Sequence, residues 1–189
     1  MFSLSNAALL IIDMQNDFVS NRLSPVFIPN ASKITKNIVK TRFFFKLKKK
    51  KVIHIITSHP RDISECGYMD RKLKRYYCID NSEGERIVPE LAPADKNEII
   101  LKKKLYSGFY ETGLLELLQK YQIKKLFFSG LTTGCCVSST AREAYNYNFE
   151  LFFLADCLTS SSKTAHLAEL RFFGKSLGQV IDSRQISGF

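Results

Sequence analysis

Three polar side chains stand where an apolar run of the sequence gives way, and they are a carboxylate, an ammonium and a thiol. Asp13 closes Ala7-Ala-Leu-Leu-Ile-Ile, Lys103 lies just past Glu98-Ile-Ile-Leu101, and Cys136 ends the stretch Gly130-Leu-Thr-Thr-Gly-Cys-Cys136. A cysteine in the first turn of a helix meets unsatisfied amide N–H groups and the positive end of the macrodipole, which favour a thiolate, and a nearby lysine lowers the thiol pKa further. An aspartate within reach can take the thiol proton, and backbone amides around Thr132 to Cys136 can hold the oxyanion of a tetrahedral adduct, so Thr132 and Cys136 are the expected oxyanion hole. That set suits hydrolysis of an amide or a related C–N bond. Each residue also has a plain reading: a strand-end aspartate is often a turn residue, Lys103 sits between Lys102 and Lys104 as a solvated lysine would, and cysteines are frequently small buried hydrophobes. Only the combination points to catalysis.

Delivering three groups so far apart in sequence to one place requires a scaffold that ends several strands at one edge. Runs 7–13, 51–57, 98–101, 124–130 and 149–155 read as short strands buried on both faces, with 179–181 a weaker sixth. Between them, residues 31–47 place Ile34, Ile38, Val39, Phe43 and Leu47 near helical spacing, and 112–121, 139–147 and 161–173 offer three more amphipathic helices. Strands alternating with helices predict an α/β fold, a three-layer α/β/α domain with a mostly parallel sheet of about six strands and Rossmann-like topology, spanning residues 1–189 as one domain. In such a sheet, ligands bind beyond the carboxyl ends of the strands, where the three groups stand. The irregular stretch 59–93, with Gly67, Gly84, Pro89 and Pro93, is expected to form loops and one short helix around residues 70–77.

Composition restricts the alternatives. Hydrophobic residues make up 45% and charged residues 24% of the 189, an ordinary globular balance. The apolar run near the start is followed at once by Asp13 and preceded by no positive charge, so neither an export signal nor a membrane span is expected, and the location predicted is cytoplasmic. Five cysteines without a CxxC pairing argue for free thiols. Lys and Arg number 28 against 18 acidic residues, a net charge of +10, yet no nucleic-acid-binding motif accompanies the charge, so solvated faces are preferred to nucleic-acid binding.

At these residues the chain resembles the isochorismatase-like superfamily over nearly its whole length. Leu10-Ile-Ile-Asp-Met-Gln-Asn-Asp-Phe18 is similar to the family's opening strand, Lys103-Lys-Leu-Tyr-Ser-Gly-Phe109 with Thr112 and Leu114 to its second signature, and Gly130-Leu-Thr-Thr-Gly-Cys-Cys-Val-Ser-Ser-Thr-Ala141 to its third. The resemblance implies Asp13 as general base, Lys103 as the cation that orients it and Cys136 as nucleophile, with Cys135 left to packing. It implies a cis peptide near Leu131-Thr132, a homo-oligomer (dimer or tetramer), a small-molecule substrate and no cofactor. True isochorismatases typically lack the cysteine. Nicotinamidases, the nearer alternative, bind a metal through an Asp-x-His pattern whose aspartate is here replaced by Thr57, two residues before His59, so no zinc is expected and His59 is read as a loop hydrogen-bonder. The closest resemblance is to the branch that includes ureidoacrylate, biuret and N-carbamoylsarcosine amidohydrolases, with two departures: Leu105 replaces a frequent arginine, and Lys49 stands where the first helix usually ends in glycine. Phe18, Tyr106 and Phe109 are expected either to wall the substrate pocket or to pack in the core. Two other classes stay open: a catalytically inactive basic binding protein on the same fold, and a thiol-redox role for Cys135 and Cys136, disfavoured because neighbouring cysteines form a strained disulfide.

Overall fold

A computed structural model describes residues 3–95 and 98–187. Six strands, β1 (Ala7–Ile12), β2 (Lys51–Thr57), β3 (Glu98–Lys103), β4 (Lys125–Gly130), β5 (Glu150–Leu158) and β6 (Gln179–Ile181), form one sheet in the order β3-β2-β1-β4-β5-β6 with every pairing parallel. The chain winds outward from β1 to one edge, returns to the centre and winds out to the other. The strand order therefore reverses between β1 and β4, and the crevice beyond their carboxyl ends is where open α/β sheets bind ligands.

Why the strands are apolar on both faces along most of their length follows from what covers them. Alternate residues of each strand point to opposite faces. On one face Leu9, Ile11, Phe127, Phe152 and Leu154 pack with Ile34, Ile38, Phe44 and Phe45 of helix α2 (Ala31–Leu47), which follows the short helix α1 (Asn16–Val19). On the other, Ala8, Leu10, Ile12, Ile53, Leu126, Phe128 and Phe153 pack with Leu114 and Leu118 of α4 (Leu114–Lys120), Ala141 and Ala144 of α5 (Ser138–Asn146) and Phe173 of α6 (Lys163–Ser176). The stack of Phe173 on Phe153 at 4.1 Å ties α6 to the sheet. A five-residue helix α3 (Tyr68–Lys72) interrupts the 59–93 stretch, earlier than the 70–77 expected, and α7 (Arg184–Ser187) follows β6. No helix among the described residues is long and apolar enough to cross a membrane.

The buried face of α2 differs from the one its apolar spacing suggested. Phe43 and Leu47 are 61% and 62% exposed, whereas Thr41, Phe44 and Phe45 are buried. At about 100° per residue, Phe43 lies roughly 180° around the helix from Ile34, on the opposite face. The helix ends as a glycine-type cap would, but with lysine: Lys49 sits at φ 52°, its amide donating to Lys46 O at 2.8 Å while that of Lys50 donates to Phe45 O at 2.8 Å.

Candidate active site

The registers of the central strands bring the three groups together. Ile12 pairs with both Ile55 of β2 and Gly130 of β4, and Thr57 pairs with Lys103 of β3. Asp13, the first residue beyond β1, is thus flanked on one side by the ends of β2 and β3 and on the other by the turn leaving β4. β3 runs two residues further than the apolar pattern indicated, so Lys103 is its last residue and its side chain is buried rather than solvated.

That turn depends on Gly130. Its φ is +104°, and a Cβ there would lie 2.0 Å from the carbonyl oxygen of Ile12, so no other residue allows β4 to approach β1 as it leaves the sheet. The Leu131 amide donates to that same oxygen at 2.9 Å. Thr133–Val137 then form a π-helical turn that runs into α5, so Cys136 lies in a widened turn one step before the regular helix. All peptide bonds among the described residues are trans, including the one expected to be cis at Leu131-Thr132. The chain reverses instead through the left-handed Gly130 and an extended Thr132 (φ −89°, ψ 143°), which avoids the several kcal/mol of a non-proline cis bond.

Asp13 and Lys103 are almost wholly buried and Cys136 nearly so. Lys103 Nζ is 3.1 Å from Asp13 Oδ2, and it donates to Cys136 Sγ at 3.3 Å and to Thr57 Oγ1 at 2.7 Å; the Thr57 hydroxyl in turn donates to Asp13 Oδ1 at 2.9 Å. The contact between Lys103 and Asp13 Oδ2 is close but poorly aligned, so this oxygen is buried with charge compensation and without a hydrogen bond. Asp13 itself adopts φ 54°, a left-handed conformation that aspartate tolerates better than most side chains and that is characteristic of strained functional positions.

The electrostatics differ from the thiolate picture. Burial pushes the Cys136 thiol well above its ordinary range and the adjacent Asp13 carboxylate pushes it further, while Lys103 opposes them without prevailing. Burial pulls the Lys103 ammonium down, but the charges of Asp13 and Cys136 outweigh it and hold it above its ordinary value. The resting arrangement is a thiol beside a carboxylate–ammonium pair.

These groups open into a cavity of about 790 Å³, lined near them by Thr57, Thr132, Cys135 and Cys136 and further out by Phe18, Ile28, Arg75, Tyr77 and Tyr106. Phe18 and Tyr106 are therefore placed on the wall. Phe109 is not: its ring is buried against Tyr147 and Phe149 at 5.4 and 6.2 Å, on the helix-covered side of the sheet. Cys135, read as packing, is exposed and lines the cavity, because the π turn rotates it outward as it rotates Cys136 in.

Two participants were missed in the sequence. Thr57 enters the sequence reading only as a missing aspartate, yet its hydroxyl bridges Asp13 and Lys103. Gln15, within the first motif, is fully buried and binds the Thr57 carbonyl and the Glu85 carbonyl through Nε2, each at 2.7 Å, and the Thr57 amide through Oε1 at 2.8 Å, fixing the end of β2. A polar residue two positions past the strand-end aspartate was the available signal. His59 donates through Nε2 to the Lys104 carbonyl (3.0 Å), and burial lowers its pKa. His59 keeps a buried Nδ1 without a hydrogen-bond partner, but Thr57 supplies a hydroxyl, spent on Asp13 and Lys103, where the pattern needs a carboxylate, and no group of three His, Cys, Asp or Glu side chains among the described residues is arranged to hold a metal.

Residues 7–185 match the model of the isochorismatase domain. The chain belongs to the isochorismatase family. It is 27% identical to Nicotinamidase 3 of Arabidopsis thaliana over 177 residues, covering 93% of this chain and 84% of that protein. The crystal structure of the nicotinamidase/pyrazinamidase PncA from Bacillus subtilis is similar at 28% identity and a TM-score of 0.86, over 93% of this chain and 99% of that one. The N-carbamoylsarcosine amidase of Thermoplasma acidophilum shares the fold, with a TM-score of 0.81 at 24% identity over 94% of this chain and 96% of that one.

Proposed function

We propose that this member of a hydrolase family is a cysteine amidohydrolase that cleaves a C–N bond of a small ureido, carbamoyl or carboxamide substrate through a thioester. The reading is carried by one observation: Lys103 Nζ lies within 3.3 Å of both Asp13 and Cys136 at the switch point of the sheet, inside a cavity. Asp13 takes the Cys136 proton through Oδ2, the oxygen with no hydrogen bond, as the sulfur attacks the substrate carbonyl. The Thr133 and Cys135 amides are spent on Thr159 O and Thr132 O, so the oxyanion is assigned to the Thr132 and Cys136 amides. Asp13 returns the proton to the departing ammonia or amine. It then deprotonates a water that cleaves the thioester, and the proton passes back to the sulfur. Lys103, 3.1 Å from Asp13 Oδ2 and 3.3 Å from Cys136 Sγ, orients the aspartate and compensates the charge that forms on sulfur.

A protonated resting thiol fits this cycle, because proton transfer and attack then coincide and no free thiolate awaits oxidation. The relatives named as nicotinamidases and as an N-carbamoylsarcosine amidase support amide or carbamoyl substrates. The test is a screen of small amides and ureides, nicotinamide included, for ammonia release, with Cys136→Ala as the control. Wild-type turnover that vanishes in the variant supports the reading; turnover that survives in Cys136→Ala overturns it.

A further inference from the structure

We propose that the substrate carries a carboxylate and that Arg75 is the residue that reads it. This rests on the hydrolase reading and narrows its substrate class. Of the charged side chains facing the cavity, most are already spent. Lys103 is committed to Asp13, Thr57 and Cys136, Lys104 pairs with Glu65, and Glu143 accepts from the Ser107 hydroxyl at 2.5 Å.

Arg75 is different. It is the single arginine among the described residues of the cavity wall, and its guanidinium is held by an ion pair alone, without a side-chain hydrogen bond among the described residues. Its nearest charge is Asp70 Oδ1, 3.6 Å from Nη1, beyond hydrogen-bond range. Arg42 and Arg71, by contrast, spend their donors on Glu98 and on backbone carbonyls. Arg75 is nevertheless not adrift. Its backbone amide donates to Asp70 O at 2.9 Å, and the buried Asp70 carboxylate is fixed by the Tyr77 hydroxyl at 3.1 Å. The guanidinium thus shares its charge with one fixed acid on the same wall, but it is half-exposed and its donors make no hydrogen bond, so a planar, two-oxygen anion can still be gripped by two of them. The Cys136 end of the cavity takes the carbamoyl or amide carbonyl, and Arg75 takes the carboxylate of the same molecule.

The experiment titrates Cys136→Ala protein calorimetrically with N-carbamoylglycine and N-carbamoyl-β-alanine and with the neutral N-methylamide of each. At least one acid is expected to bind about tenfold or more tightly than its amide, a preference that Arg75→Gln cuts to within about twofold and Arg75→Lys restores in part. Equal binding of acid and amide, a preference that survives Arg75→Gln, or no binding of any of the four overturns the proposal. Wild-type turnover of the same four compounds reports on the hydrolase reading separately: hydrolysis of the neutral pair with indifference to the acids leaves that reading standing and sinks the anion site.

Discussion

Replacing Thr57 by valine tests the site at its least obvious point. The substitution keeps shape and removes one hydroxyl, which accepts from Lys103 Nζ at 2.7 Å and donates to Asp13 Oδ1 at 2.9 Å in a position only 3% exposed. Both partners are charged, and a buried hydrogen bond to a charged group contributes about 1.5–3 kcal/mol. Water has little room to replace the hydroxyl, so a loss of about 3 kcal/mol of stability is expected, or roughly 6–12 °C in Tm for a chain of this size. The chemical consequence is orientational. Thr57 pins Oδ1, which leaves Oδ2 for the thiol proton; in the valine variant both oxygens compete for Lys103 and the carboxylate turns. If half of the lost energy appears in the transition state, kcat falls about tenfold, with KM moving by less than about threefold.

Two measurements check this. Steady-state kinetics on a substrate found by ammonia release give the split between kcat and KM, with Thr57→Ser expected to recover most of the rate. The pH profile of Cys136 alkylation, followed in a Cys135→Ala background because Cys135 is exposed, reports on the thiol without any substrate. A Thr57→Val protein with kcat within about twofold of wild type and an unaltered alkylation profile would refute the idea that the hydroxyl positions the base.

Lys49→Gly relieves a left-handed lysine at the end of α2 and is expected to stabilise the fold by about 1 kcal/mol, seen as a Tm rise of roughly 2–4 °C. Glu98, whose carboxylate is buried and bound by Arg42 Nε at 2.6 Å, Lys46 Nζ at 2.8 Å and His54 Nε2 at 3.0 Å, is the anion of a network tying α2 to β2 and β3. Burial alone would raise its pKa, but Arg42, Lys46 and His54 together hold it well below the usual carboxylate range. A depressed folded-state pKa contributes stability that is present above the unfolded value and lost as pH falls, so denaturant melts should show this contribution declining below about pH 4.5. Burial lowers the pKa of His54, whose protonation is therefore resisted by the fold and adds a loss beginning below about pH 6.5. Glu98→Gln leaves Arg42 uncompensated and should cost about 3–5 kcal/mol at pH 7, while flattening the decline below pH 4.5. Limited alkylation of the native protein should label Cys135 first and leave the buried Cys66, Cys78 and Cys157 silent, as mass spectrometry of the digest would show.

What could be read from the chain without its structure was set by where burial is uniform. The strands stand out because helices cover both faces of the sheet, so β1 is apolar at every position and β4 through Leu126–Phe128, and the acid and the cysteine that follow them are visible as interruptions. The edge strand β3 is less legible: Ile100 and Lys102 are exposed, and Lys103 could be told from its neighbours only by the motif around it. α2 was legible in its extent but not its face, because Phe43 and Leu47 sit apolar on the solvent side. Phe109 misled for the opposite reason, since an aromatic beside a catalytic motif belongs equally to a wall or to a core. Arg75 and Tyr77 lie in irregular backbone with no periodicity to place them, and the trans Leu131-Thr132 bond is what a non-proline pair ordinarily adopts, the cis form having been implied by the resemblance alone.

Thr57 shows why the same positions support different chemistry. A carboxylate there would set a second negative charge beside Asp13, tolerable when a bound cation holds both. In this chain the position is a hydroxyl that donates to Asp13 and accepts from Lys103, so the pair is neutralised from within, by a lysine whose own pKa the pair raises. In the mechanism proposed above, polarising the substrate carbonyl falls to backbone amides, and activating the sulfur falls to Asp13 alone. Excluding water strengthens both interactions, because charges act on one another more strongly where the surroundings are less polar. On that mechanism the bound substrate itself supplies the closure. An anionic group anchored at Arg75, on the cavity wall, would hold the reacting carbonyl over Cys136 while the apolar part of the substrate covers the pair from solvent.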